Sequence, residues 1–136
     1  MKILNIEATL KSPKVIFDTK NFIFEMQGNS RPENVRKFYY PIIEALKRFY
    51  ESVLENNKLE STSSEVFKYN FKLEYFNSSS AKFISDIIVL IDNYNKKGFN
   101  NKIYWYFEDG DEDMIEVGED FSEMINVPFN FIMIKK

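Results

Sequence analysis

The feature that most constrains the fold of this chain is a change of hydrophobic period at Asn77. Before it, residues 67–75 are apolar at every second position, which is typical of a β-strand with one buried face. After it, residues 83–94 are apolar at spacings of three and four, which indicates an amphipathic helix. Asn77 and three consecutive serines separate the two patterns. Residues 77–80 are called the serine corner below.

Periodicity and turn residues predict the remaining elements. The predicted strands cover residues 6–10, 15–17, 22–26, 66–76, 102–107 and 129–134, and the predicted helices cover 35–54, 79–96 and 111–125. Turn chemistry at residues 18–21 predicts a hairpin between the second and third strands. Ser30 and Glu33 fit a capping box before the first helix, and the polar segment 56–64 is predicted as a loop. Strands that alternate with helices predict an α/β fold with a largely parallel sheet.

The composition excludes several classes of function. The 136 residues include no Cys and no His, which removes disulfides, Cys/His zinc sites and the Ser–His–Asp triad. The net charge of −3 is spread along the chain, so there is no basic stripe for nucleic acid. No apolar run approaches the roughly 20 residues of a membrane span, and the first residues show neither the long apolar region nor the cleavage site of a signal peptide. We expect one cytoplasmic domain over residues 1–136 that binds no nucleic acid, membrane, metal or cofactor.

The serine corner has two interpretations from the residues alone. Asn and Ser are residues that cap the free N–H groups of a helix, so the corner is explained by capping alone. Three consecutive serines exceed what a cap requires, however, and the N-terminus of a helix favours anions. The second interpretation is therefore an anion-binding or phosphorylation site, with Lys82 placed one turn after Ser78 to lean toward a phosphate.

An acidic run follows the predicted strand at 102–107 and superficially resembles a calcium loop. It consists of Glu108, Asp109, Asp111, Glu112 and Asp113. Counted from Asp109, the sixth position is Met114 where an EF-hand needs Gly, and the twelfth is Asp120 where it needs Glu. The run is interpreted as a solvated turn with acidic residues in the first helical turn.

Several stretches together resemble the SiaC-type regulatory phosphoproteins of bacteria. The matching segments are residues 6–9 with Ser12-Pro13, 28–34, 71–80, 104–106, 112–114, 118–121 and 128–130. They are spread over nearly the whole chain. One departure is Arg31, which stands where members of the family usually carry an aromatic residue.

This resemblance implies a STAS-like fold, related in shape to anti-anti-sigma factors. The expected sheet is mixed and mostly parallel, with an N-terminal hairpin and with the helices mainly on one face. The resemblance also implies a non-enzymatic partner switch. We expect the protein to be a monomer or a weak dimer. A dedicated Ser/Thr kinase phosphorylates such a protein at the strand-to-helix corner, and a PP2C-like phosphatase resets it. The unphosphorylated form binds and activates a diguanylate cyclase or a similar signalling enzyme.

Ser78 occupies the matching phosphorylation position. The residues expected to contact partners surround it in the corner and in the segment before the first helix. They are Asn77, Ser79, Ser80, Lys82, Ser30, Arg31, Pro32, Glu33 and Asn34. Because adjacent parallel strands end at the same edge of a sheet, we also expect the acidic run to lie near Ser78.

Two other functions are compatible with the residues. The same helix N-terminus is suited to the phosphate of a small molecule or nucleotide, which would make the chain a ligand-binding module. An enzyme using carboxylates such as Glu74 and Asp109 as acid and base is the third possibility, although nothing in the sequence brings the two together.

Overall fold

The computed structural model describes residues 2–135, which form six strands and four helices. The strands are β1 (Lys2–Ile6), β2 (Lys14–Asp18), β3 (Ile23–Ser30), β4 (Phe67–Phe76), β5 (Asn101–Glu108) and β6 (Phe129–Ile134). The helices are α1 (Val35–Glu55), α2 (Leu59–Ser63), α3 (Ser78–Lys96) and α4 (Glu112–Glu123). No helix among these residues is both long and apolar enough to cross a membrane.

The six strands form one mixed sheet in the order β1-β2-β3-β4-β5-β6. The pairs β1–β2 and β2–β3 are antiparallel, and β3 to β6 are parallel to one another. The predicted hairpin and the mostly parallel sheet are therefore confirmed. The carboxyl ends of β1, β3, β4, β5 and β6 meet at one edge of the sheet, which is called the upper edge below.

Among residues 2–135, the hydrophobic core lies on one face of the sheet. In β4, Phe67, Tyr69, Phe71 and Leu73 are buried, whereas Lys68 and Glu74 are exposed. The buried side chains of α1, α3 and α4 join the same core. The opposite face carries polar contacts, such as the 3.0 Å ion pair between Lys72 and Glu25. The alternation of polar and apolar residues in β4 follows from this, because one face of the sheet meets helices and the other meets water.

The first strand lies earlier than the sequence predicts. The prediction was residues 6–10, but β1 is Lys2–Ile6 and Leu10 is 85% exposed. Residues 7–13 instead form a loop at the upper edge, where the Thr9 hydroxyl accepts hydrogen bonds from the backbone N–H groups of Lys11 and Ser12. A Thr side chain that bonds the backbone in this way favours a turn over a strand.

The start of α1 and the loop after it also differ from the prediction. The predicted N-cap was Ser30, but the helix begins at Val35, with the Asn34 side chain accepting from Lys37 N at 3.0 Å. Ser30 is instead the last residue of β3, paired with Phe76. Within the segment 56–64, which was predicted to be a loop, residues 59–63 form the short helix α2.

Helix α4 approaches the sheet closely at Gly118. A methyl group at this position would lie 2.6 Å from the indole of Trp105 and 2.9 Å from the ring of Phe131. The Trp105 indole N–H donates to the Met114 carbonyl at 2.9 Å, which fixes the ring against the helix. Because Gly118 has no side chain, α4 can lie this close to β5 and β6.

Replacing Gly118 by Ala is expected to lower the free energy of unfolding by about 1–2 kcal/mol. Overpacking against the indole costs about 1–3 kcal/mol, and the higher helix propensity of Ala offsets up to about 1 kcal/mol of that. Denaturant unfolding followed by the fluorescence of the single tryptophan measures the change. Glu119→Ala, at the exposed neighbouring position, is the control. An unchanged or increased stability in Gly118→Ala would contradict the close approach.

Candidate functional site

The serine corner lies at the upper edge of the sheet, where β4 passes into α3. The Asn77 side chain accepts a hydrogen bond from Ser80 N at 2.9 Å and so caps the helix. Ser78 and Ser79 are exposed, whereas Ser80 has no exposed surface. The corner therefore presents the hydroxyls of Ser78 and Ser79 to solvent and turns the third one inward.

The buried hydroxyl of Ser80 belongs to a network that joins β3, α1 and α3. It donates to the Ser30 carbonyl at 3.0 Å and accepts from the Ser30 hydroxyl at 2.9 Å. The Ser30 hydroxyl also contacts the Tyr39 hydroxyl in α1. Asn77 N donates to the same Ser30 carbonyl at 3.1 Å. The end of β3 and the start of α3 are thus held together beneath the surface of the corner.

The network is electrically neutral. Burial raises the pKa of Tyr39, although its hydrogen bonds with Ser30 and Ser80 act in the opposite direction. The phenol therefore stays protonated and keeps a donor for the Ser30 hydroxyl. The buried side of the corner therefore has a structural role, and a charged group can be accommodated only on its exposed side.

The strand that leads into the corner contains an extra residue. Gly28 of β3 pairs with Leu73, but the next residue, Asn29, pairs with Tyr75, so that Glu74 has no opposite residue. Such a β-bulge changes which face the following side chains point to. The sequence pattern placed Tyr75 on the buried face, but its side chain is 51% exposed. Phe76 turns inward instead, with its ring centroid 6.2 Å from that of Trp105.

The exposed side of the corner is suited to an anion. Backbone N–H groups in the first turn of a helix have no acceptor within the helix, and the helix dipole favours negative charge there. Lys82 lies one turn further along α3 and pairs with Asp86 at 3.2 Å. Both of these side chains are largely exposed, so the pair contributes little and leaves Lys82 able to reorient.

The segment from Arg31 to Asn34 flanks the corner on the side of β3. Arg31, Glu33 and Asn34 are exposed, and Pro32 is half-buried. Two contacts attach this segment to the loop of residues 7–13: Arg31 N donates to the Lys11 carbonyl at 2.8 Å, and Lys11 Nζ lies 3.1 Å from a Glu33 carboxylate oxygen. The predicted contact residues 31–34 therefore share the upper edge with the corner.

The acidic run lies on the other side of the corner. A cavity of about 310 Å³ separates it from the end of β4. The cavity is lined by Glu74, Tyr75, Phe76, Asp111, Asp113, Met114 and Val117. The carboxylate of Asp111 caps α4 by accepting from Met114 N at 3.1 Å. Among residues 2–135, no group of three or more acidic side chains is placed to hold a metal ion.

The structure thus gathers most of the predicted contact residues at one edge and corrects two of them. Ser30 and Ser80 were expected to contact partners, but both are completely buried and support the corner from within. Sequence reasoning missed Tyr39, which looked like any aromatic residue of an apolar helix stripe. It also missed the exposure of Tyr75, because a bulge leaves no mark in the alternation of the strand that contains it.

Comparison with known proteins gives the same family as the sequence motifs. The sequence pattern that defines the SiaC family of regulatory phosphoproteins matches residues 6–134. A protein of Pseudomonas aeruginosa (strain UCBPP-PA14) is 26% identical over 129 residues, which are 95% of this chain and 94% of that protein.

Two solved structures from Pseudomonas aeruginosa are similar over nearly their full length. Apo-SiaC is 24% identical with a TM-score of 0.79, covering 97% of this chain and 98% of that chain. A chain in the complex of the diguanylate cyclase SiaD with its activator SiaC is 25% identical with a TM-score of 0.83. That match covers 96% of this chain and 99% of the other.

Replacement of Ser80 by Ala is expected to lower the free energy of unfolding by about 1–2 kcal/mol, because it removes buried hydrogen bonds to Ser30. Ser79→Ala, at the exposed neighbour, is the matched control and should change stability by less than about 0.5 kcal/mol. Thermal or denaturant unfolding measures both. If the two variants lose equal stability, the buried network does not hold the corner.

Proposed function

Because this chain belongs to the SiaC family of regulatory phosphoproteins, we propose that it is a partner switch set by a phosphate on Ser78. A Ser/Thr kinase adds the phosphate and a PP2C-like phosphatase removes it. The unphosphorylated form binds and activates a diguanylate cyclase. The protein itself catalyses no reaction, and it works in the cytoplasm, where a kinase finds ATP.

The observation that carries this proposal is the different placement of the three serines. Ser78 is exposed at the first residue of α3, where a kinase has access to its hydroxyl. Ser80 is sealed beneath it and is unavailable for modification. Ser79 is exposed as well, but Ser78 is the position that matches the family pattern. A modification at Ser78 therefore alters the surface and leaves the supporting network unchanged.

The charge of a phosphate determines how the switch works. Phosphorylation adds about −1.5 to −2 charges at neutral pH. At the N-terminus of a helix this charge is favourable by about 0.3–1 kcal/mol, so that the fold is retained. The acidic run and Glu74 flank the corner on one side, so the phosphate adds negative charge next to carboxylates there. A partner fitted to the neutral hydroxyl loses a desolvated contact there.

The diguanylate cyclase is supported as partner by the similarity to a chain in the SiaD–SiaC complex, in which SiaC is described as the activator of the cyclase. We propose that Tyr75 is part of the contact surface. It is a large aromatic side chain held in solvent by the bulge at Glu74, and aromatic residues are enriched among the residues that dominate interfaces.

Ser78→Asp is expected to weaken binding to the cyclase by about tenfold or more, whereas Ser78→Ala retains it, because like charges placed at an interface cost several kcal/mol. The measurement is the affinity of each variant for the diguanylate cyclases of its host, together with the cyclase activity that each one stimulates. Both variants should melt no lower than the unmodified protein. Equal binding by the two variants would overturn the switch.

Modification itself is tested by mass spectrometry of the protein purified from its host. Intact mass should show a single phosphate, and peptide mapping should place it on Ser78. Phosphate on Ser79 alone would move the switch by one residue. If the protein is never phosphorylated and is instead stabilised by a nucleotide, the ligand-binding alternative replaces this proposal.

Tyr75→Ala is expected to weaken binding to the same cyclase by about tenfold, since truncation of an aromatic anchor costs about 1–2 kcal/mol or more of binding free energy. Phosphorylation of Ser78 should remain intact. Tyr104→Ala, on the sheet face opposite the core, is the control and should bind normally. Binding is measured by titration calorimetry. Equal losses in the two variants would mean that Tyr75 is not part of the contact.

A further inference from the structure

Strand β6 lies at one edge of the sheet. The sheet ends at this strand, and no other strand among residues 2–135 pairs with its outer side. An unpaired edge exposes a row of backbone N–H and C=O groups, which is a template for another strand. Proteins usually protect such edges with charges, prolines or bulges within the strand.

The two edges of the sheet differ in this protection. At the opposite edge, the register of β1 against β2 is interrupted between Lys2 and Leu4, an irregularity that disturbs a regular edge. Strand β6 reads Phe-Asn-Phe-Ile-Met-Ile and contains no charge, no proline and no interruption of its register. Pro128 and Lys135 lie just outside its two ends.

The hydrogen bonds of β6 show which of its backbone groups are free. Ile103 N donates to the Pro128 carbonyl, and Asp109 N donates to the Ile134 carbonyl, both at 2.9 Å. Alternate residues of a parallel strand bond to the same neighbour, so the even-numbered residues of β6 face β5. The backbone groups of Phe129, Phe131 and Met133 therefore point outward.

Apart from Asn130, the side chains of β6 are apolar, and several of them are exposed. Phe131, Met133 and Ile134 are among the exposed large hydrophobic residues of the protein, and Met133 is 47% exposed. An occupant of the edge therefore has to supply both a strand and apolar side chains. A second copy of β6 supplies both.

We propose that β6 pairs antiparallel with β6 of a second copy of this chain and extends the sheet across a two-fold axis. A register centred on Ile132 places Phe131 of each copy opposite Met133 of the other. These residues have outward backbone groups, so each such pair exchanges both of its hydrogen bonds. The register also leaves Pro128 outside the ladder. The contact uses the same patch on both copies and closes on itself, so it forms a dimer and not a filament.

This dimer leaves the serine corner free. The serine corner lies between β4 and α3, whereas the contact is formed by the last strand of the sheet. The proposal does not depend on phosphorylation of Ser78, and a failure of one leaves the other standing.

The test is the molar mass of the full chain, measured by sedimentation equilibrium from low micromolar to near-millimolar concentration. About 0.5 M salt screens the acidic residues of α4 during the measurement. The expected result is a reversible monomer–dimer equilibrium. Met133→Lys should raise the dissociation constant more than about tenfold, because it places an unpaired charge in the contact. Ile3→Lys, at a similarly exposed residue of β1, should leave it unchanged.

Amide hydrogen exchange of the unmodified chain gives a second measurement that needs no variant. Exchange at Phe131 and Met133 should slow as the protein concentration rises. Ile132 and Ile134, which are bonded to β5 in either state, serve as internal controls and should stay protected throughout. A chain that remains monomeric at all concentrations, or a dimer that Ile3→Lys weakens as much as Met133→Lys, would overturn the proposal. Slowed exchange at β1 in place of β6 would overturn it as well.

Discussion

The position of the serine corner depends on one backbone carbonyl, that of Ser30. It accepts hydrogen bonds from Asn77 N and from the Ser80 hydroxyl, and in this way ties the last residue of β3 to the first turn of α3. From α1, the Tyr39 hydroxyl contacts the side-chain hydroxyl of the same residue, Ser30. Strand β3 and helix α1, which are neighbours in the chain, are thus fixed relative to the distant helix α3 directly beneath the exposed serines. Buried polar groups satisfied by one another in this way favour a single arrangement.

That arrangement keeps the exposed serines apart from the core. The core fills one face of the sheet, and the carboxyl ends of the strands collect loops whose side chains contribute little to it. The proposed phosphate on Ser78 would therefore change stability little, because Ser78 is exposed and lies among the free amides of a helix terminus. Ser80, two residues later, is in the opposite situation, since any group added to it would have to enter the core.

The bulge at Glu74 extends the same edge. One extra residue in β4 turns Tyr75 into solvent and Phe76 into the aromatic cluster with Trp105 and Phe121. On β3 the register shifts directly after Gly28, whose φ of 118° is a conformation that glycine adopts without strain. The irregularity thus supplies an exposed aromatic ring and a cavity wall beside the corner without opening the core. Bulges are often found next to functional sites for this reason.

The periodicity of the sequence determined the type of almost every element, because a strand or helix with one buried face must repeat its apolar residues at 2 or 3.6. Periodicity also located the strand-to-helix corner, and the motifs of the sequence indicated the family. It placed the first strand too late in the chain, because the Thr9 hydroxyl bonds to the nearby backbone of Lys11 and Ser12 and so favours a turn. It placed the first helix cap four residues too early, because Ser30 pairs with Phe76 and bonds to Ser80, which only the folded chain brings near it. Which serine is buried, and which way Tyr75 points, were decided by the tertiary structure alone. Both depend on Ser30 and Gly28, which lie about 50 residues away in sequence and come into contact only when β3 and β4 pair.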